Sequence, residues 1–184
     1  MLRQNLIENG VSLILKGLGI DMNDPNYTNT PDRVARWYVE MFAEQDTEWA
    51  IFPEQYSDFV LLRRHSLWTL CPHHLLPVEM VTSVAYIPGG YVLGLSKLAR
   101  LIMDCNRGPI LQEKFTSDVV EKIYEICVGT QGAACFVEGI HGCAKYRGVR
   151  TTGSFITSKC RGKFDEDKRL QDRFFYLASD HRGT

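Results

Sequence analysis

The chain has 184 residues, 45% of them hydrophobic and 23% charged, enough for one core of ordinary size and too few to require two. Its 21 basic and 22 acidic residues leave a net charge of -1, which excludes the overall basic footprint of a nucleic-acid or anionic-membrane binder. No apolar run approaches the roughly 20 residues that span a bilayer, and Met1–Glu8 lacks the unbroken apolar stretch of a secretory signal, so a cytoplasmic protein without nucleic-acid or membrane partners is expected.

Leu6, Ile7, Val11, Leu13, Ile14 and Leu18 recur at mostly helical spacing and predict an amphipathic helix over 3–17, stopped by Gly17 and Gly19. The polar stretch 21–29 with Pro25 reads as a loop. Thr30-Pro31 then reads as an N-cap and first helical residue, opening a helix that carries Val34, Ala35, Trp37, Tyr38, Met41 and Phe42. These two helices form an expected N-terminal segment, 1–45, ahead of a main domain, 46–184. Arg33 lies in the first turn of the second helix, where the backbone dipole least favours a cation. It either meets an anion or pairs with a carboxylate such as Asp32.

Residues 46–56 show no clean period. Branched and aromatic residues predict strands over 58–70 and 79–88, the second ended by Pro88-Gly89-Gly90. Ser96 reads as the N-cap of a helix over 97–106, and a further helix is expected over 111–128, closed by Gly129 and Gly132. Strands over 133–144 and 150–158 and a C-terminal helix over 165–178 complete an α+β pattern with an antiparallel sheet. In an extended 133–144 segment, His141 and Cys143 leave the same face.

The six cysteines, in a reducing compartment, read as thiols or ligands rather than disulfides. Cys105, Cys127 and Cys135 lie in apolar surroundings and read as core; Cys160, between Lys159 and Arg161, reads as a surface thiol. Cys71-Pro72-His73-His74 is different. Two residues separate Cys71 from His74, a spacing at which one tight turn aims both side chains at a single ion, and Cys143 is the best candidate for a third ligand. Three protein ligands leave one position open, as a catalytic zinc needs. His73 and His141 would then flank the ion uncoordinated, with side chains that titrate near neutrality and are suited to moving protons, or else to bonding with backbone groups.

Cations follow the same segments. Lys97 and Arg100 stand three apart on one helix, and Lys145, Arg147 and Arg150 come soon after Cys143. They either form a solvated face or, with Arg33, grip a polyphosphate through forked contacts. Glu113, in a first helical turn, suits the dipole and could equally accept the paired N–H donors of a guanine edge.

Thr30-Pro31-Asp32-Arg33-Val34-Ala35, Cys71-Pro72-His73-His74, Gly94-Leu95-Ser96-Lys97-Leu98-Ala99-Arg100, Gln112-Glu113 and His141-Gly142-Cys143-Ala144-Lys145-Tyr146-Arg147-Gly148-Val149 occur in the order found in GTP cyclohydrolase I, and the chain resembles that family from about residue 5 onward. The resemblance implies a tunnelling fold with helices on one face of the sheet, assembled as a homodecamer with sites between subunits. It implies Zn2+ on Cys71, His74 and Cys143, with water as the fourth ligand. The family's reaction opens the guanine ring of GTP at C8, releases formate and rearranges the ribose to give 7,8-dihydroneopterin triphosphate, a reduced-pterin precursor for tetrahydrofolate. By the same resemblance, His141 donates a proton to the purine, His73 assists proton transfer and touches the ribose, and Ser96 serves the ribose rearrangement. Glu113 and Gln112 recognise guanine, and Arg33, Lys97, Arg100 and Arg147 hold the triphosphate.

Three positions depart from the family's pattern: Pro72 where an acidic residue is usual, Gly142 where a larger side chain is usual, and Gly108-Pro109 where proline usually follows arginine directly. Two other readings compete. A tunnelling-fold reductase acting on a deazapurine nitrile requires a free nucleophilic cysteine and a nicotinamide cofactor. A non-catalytic protein with a structural zinc requires a fourth protein ligand and leaves the cations unexplained.

Overall fold

The computed structural model describes residues 3–43 and 47–179, and the expected boundary at 45/46 falls outside them. The described residues form two compact units. In the first, α1 (Gln4–Gly17) packs against α2 (Thr30–Phe42). The connecting loop is shaped by short polar side chains: Asp21 and Asp24 each accept a hydrogen bond from the backbone N–H two residues on. Helix α2 starts one residue earlier than expected. Asn29 occupies the cap position without a side-chain bond, and Thr30 is already helical.

The second unit comprises β1 (Ile51–Pro53), β2 (Val60–Leu70), β3 (Pro77–Ile87), β4 (Tyr91–Leu93), α3 (Leu95–Asp104), α4 (Gln112–Ile126), β5 (Gly132–His141), α5 (Gly142–Lys145), β6 (Phe155–Gly162), α6 (Lys163–Glu166) and α7 (Lys168–Ala178). Four strands form an antiparallel sheet in the order β2-β3-β5-β6, and β1 pairs with β4 in a separate ribbon. The period of two sorts the core. On β3, Val84 and Tyr86 face the cluster built with Leu98, Leu101 and Ile102 of α3 and Phe115, Val119, Val120 and Ile123 of α4. Ala85 and Ile87 face the opposite way, onto Phe59, Phe164, Phe174 and Ala178. The main helical layer therefore covers one face, and α6 and α7 cap part of the other.

Several local expectations are corrected. Ser96 is not an N-cap: Gly94 holds that position and α3 begins at Leu95. Residues 150–154 are not strand, because Arg150 takes a left-handed backbone (φ 50°) and the chain reaches the sheet only at Phe155. The C-terminal helix is two helices, with the Asp167 carboxylate capping α7 by accepting from the N–H groups of Arg169 and Leu170. Cys160 is not a plain surface thiol, since it packs against the Phe164–Phe174 cluster. The irregular stretch before β2 contains β1, whose three residues are all exposed and so carry no apolar period to read.

The entry to β2 is tied to α7. Asp58 accepts from the Phe59 N–H at 2.7 Å, and both its carboxylate oxygens accept from Arg173 at 2.9 Å. The Phe59 amide bond, and after it Arg173, hold the Asp58 carboxyl below the usual carboxylate range against the opposing effect of burial. A depressed carboxylate stabilises the fold above its unfolded pKa and ceases to do so as pH falls through its folded one. Asp58→Ala should therefore lower the melting temperature at pH 7, and the gap to the parent should close as melts are taken down through the acid range. A gap independent of pH would show that the carboxylate charge contributes nothing.

Candidate metal centre

The candidate site forms where two chain reversals meet at one end of the sheet. Between β2 and β3 the backbone turns through Cys71–Leu76. The Cys71 carbonyl accepts from the N–H groups of His74 and Leu75 at 3.3 and 2.8 Å, and the Cys71 N–H donates to the Leu76 carbonyl at 2.9 Å. Leu75 closes the loop with a left-handed backbone (φ 53°), a conformation that costs a non-glycine residue about 1–2 kcal/mol. The sheet register then sets Val78 opposite His141, which brings the end of β5 beside this turn.

At that end the expected strand stops early. Residues 142–145 form the short helix α5, so His141 and Cys143 do not leave one face of an extended segment. His141 ends the strand, and Cys143 is carried round onto the helical turn. Gly142 makes the bend possible, because a Cβ there would lie 2.7 Å from the Pro77 carbonyl oxygen and 3.3 Å from the Tyr146 ring. The departure at 142 thus has a local steric reason.

Ligand atoms of Cys71, His74 and Cys143 all lie within 4.8 Å of one another. Cys71 is buried, Cys143 half-buried and His74 exposed, so the group opens toward solvent on one side. Cys71 Sγ stands 3.8 Å from His74 Nδ1. That is long for a hydrogen bond and close to the roughly 3.6 Å separating a sulfur and a nitrogen that share one tetrahedral zinc. The residues present fit a metal ion. His73 Nδ1 is 3.9 Å from the same sulfur, but His73 does not join the three-residue group. Burial, followed by the hydrogen bond and charge of Cys71, pushes the Cys143 thiol up; a bound cation would relieve this crowding of sulfur charge. Arg147 donates from Nη1 to His74 Nε2 at 2.8 Å.

Beside the ligand group is a cavity of about 200 Å³ lined by Gln112, Glu113, His141, Cys143, Ala144, Phe155 and Thr157. Gln112, at the start of α4, is 3% exposed. Its amide nitrogen turns two protons toward three acceptors, the Phe155 carbonyl (2.9 Å), Thr157 Oγ1 (3.1 Å) and, at the longest distance and sharing a proton, the Val137 carbonyl (3.3 Å), and its oxygen meets His141 Nε2 at 2.8 Å. Burial lowers the pKa of His141, and Glu113 opposes that shift. The ring packs edge-on against Phe155 at 5.4 Å.

The structure thus brings together Cys71, His74, Cys143, His141, Gln112, Glu113 and Arg147, with His73 on the same turn. Ser96, Lys97 and Arg100 lie on α3 and do not line this cavity; the Lys97 ammonium donates to the Glu48 carbonyl. Arg33 lies on α2 of the first unit. Sequence reasoning missed Phe155, Thr157 and Ala144 as lining residues; Phe155-Ile156-Thr157 shows no apolar-polar alternation, and only the spacing of two along β6 puts residues 155 and 157 on one face.

These features define an α+β domain in which a three-residue Cys/His group that could hold a metal ion lies beside a mostly apolar-walled cavity carrying a few polar side chains. The chain belongs to the GTP cyclohydrolase I family, whose model matches residues 7–179. GTP cyclohydrolase 1 of Clostridium perfringens is 37% identical over 185 residues, covering 97% of this chain and all of that one. The enzyme of Rhodopirellula baltica is 40% identical over 169 residues, covering 89% of this chain and 73% of that one. A solved structure of the archaeosine synthase QueF-Like in the apo form is similar with a TM-score of 0.48, at 21% identity over 59% of this chain and 97% of that one.

Titration with Co2+ should give one thiolate-to-metal charge-transfer band per chain. Cys143→Ala should lose it. Because the Cys143 thiol is pushed up and must ionise to bind, affinity should weaken steadily as pH falls and strengthen as it rises. Full occupancy in the Cys143→Ala protein would remove this residue from the ligand set.

Proposed function

We propose that this chain is a zinc-dependent GTP cyclohydrolase I, converting GTP and water to formate and 7,8-dihydroneopterin triphosphate. The observation that carries the reading is the convergence of Cys71, His74 and Cys143 beside a cavity lined by Gln112, Glu113 and His141. Two thiolates and one imidazole form a donor set suited to zinc, and three protein ligands leave the open position of a catalytic rather than a structural centre. When bound, the ion supplies Lewis acidity and activation of water near neutral pH.

The residues divide the remaining tasks. The exposed carboxylate of Glu113, at the cavity and in the first turn of α4, accepts the paired N–H donors of the guanine edge. His141 transfers a proton to the purine ring. Burial favours its neutral form, so a proton taken up there is readily given away. His73, on the exposed turn, serves a second proton transfer at the ribose side, and Ser96 assists the ribose rearrangement. Arg147, already beside His74, joins Lys97, Arg100 and Arg33 in holding the triphosphate.

The size of the cavity supports an assembled site. About 200 Å³ is below the roughly 300–1,000 Å³ of pockets that enclose whole ligands, and suits a purine base without its ribose triphosphate. The α3 residues and Arg33 are therefore read as completing the site in a homo-oligomer, the decamer that the resemblance implies. Residues 46–184 supply the catalytic domain and 1–45 an N-terminal helical segment, in a cytoplasmic enzyme.

Incubation of the purified protein with GTP should release one formate per GTP with the appearance of pterin absorbance. Chelator should stop both and zinc restore them. Absence of formate from the zinc-loaded protein would overturn the reading. His141→Ala should keep its metal while turnover falls about 10²–10⁴-fold, the range for loss of a positioned acid or base.

A further inference from the structure

The hydrogen bonds around Gln112 have only one consistent set of directions. Backbone carbonyls accept and never donate, so the Phe155 and Val137 carbonyls require the amide nitrogen of Gln112 on their side. A flipped amide would set three oxygens against one another in a buried place. Thr116 Oγ1 lies 2.7 Å from the Gln112 backbone carbonyl and spends its proton there. Its 2.6 Å contact with Thr157 is then made by the Thr157 proton, which leaves Thr157 Oγ1 to accept from Gln112 Nε2. The Gln112 side-chain oxygen is thereby turned toward His141, and the ring nitrogen 2.8 Å away must be a donor. Gly139 leaves the seat open: a Cβ there would lie 2.1 Å from that oxygen and 3.4 Å from His141 Nε2.

We infer that Thr157 and Gly139 are positioning residues that act through Gln112 to keep a proton on His141 Nε2, so that Nδ1 is the ring nitrogen that exchanges protons with a molecule in the cavity. The bond made by one imidazole nitrogen decides the state of the other, and a histidine held in the wrong tautomer loses catalysis without losing its place. Gln112 on this account is held by the protein and orients the histidine, and recognition of the guanine edge falls to Glu113. The inference rests on the reading of His141 as a proton-transfer group for its catalytic consequence, and on hydrogen-bond direction alone for its structural one.

Two readouts separate these. In 15N NMR of histidine-labelled protein, with the His141 signal assigned by its loss in His141→Ala, the neutral ring should carry its proton on Nε2 and exchange it slowly. Thr157→Val keeps the shape of the side chain and removes its hydroxyl, while Gly139→Ala fills the seat. Each should speed exchange of that proton at least about tenfold, and Thr157→Ser should restore it to within about twofold of the parent, because exchange protection follows the local hydrogen bond. In GTP turnover the first two should lower kcat about tenfold, part of the range for proton transfer, and change KM less than twofold. A proton on Nδ1 in the parent, or unchanged exchange in both variants, would overturn the inference. If the NMR result holds and no variant nor the parent releases formate, the relay stands and the proposed reaction falls.

Discussion

The candidate site depends on the register in which β3 pairs with its two neighbours. Leu70 stands opposite Pro77 on one side, and Val78 opposite His141 on the other. Those two pairings bring the turn Cys71–Leu76 and the end of β5 to the same corner, so residues 71, 74 and 143 share one point although the third lies far along the chain. A slip of one residue would move a strand end by about 3.3 Å and turn its side chains to the other face. The buried alternation on β3, with Val84 and Tyr86 one way and Ala85 and Ile87 the other, opposes any such slip. Packing of the core is in this sense what assembles the ligand group.

The same corner contains polar groups that a core ordinarily excludes. Gln112 is buried and fully engaged, and it links the start of α4 to the Val137 and Phe155 carbonyls near the end of the β5–β6 ladder. A buried amide is tolerated because each of its atoms has a partner. Thr116 and Thr157 extend the set of partners, and the glycines at 139 and 142 provide room that a Cβ would fill. Satisfied polar contacts and missing side-chain volume together hold the cavity wall in one arrangement.

The cysteines separate by environment. Cys127 and Cys135 are fully buried in the main core, where desolvation pushes both thiols up, and Cys105 is pushed to about 12. Such thiols pack as small apolar groups. Cys71 and Cys143 differ because each lies at a chain reversal, next to the other and to an exposed imidazole. Their chemistry comes from the loops that carry them and from the open side of the site.

By itself the sequence determined the α+β class, the helical and strand segments whose apolar periods are long, and the short Cys/His and cationic motifs that mark the family. These are local properties: periodicity within 11–18 residues and side-chain chemistry within four. Its boundaries failed where backbone conformation outweighed pattern, as at Gly94 before Ser96, at left-handed Arg150 and at Asp167 between two short helices. Only the tertiary structure decided that Cys143 sits on a helical turn instead of sharing a strand face with His141. It alone placed Thr157, Phe155 and Gly139 around Gln112. The physical reason is that strand register depends on partners as distant in the chain as Val78 and His141, and the direction of the Gln112 hydrogen bonds on partners 25–45 residues away, which no local period encodes.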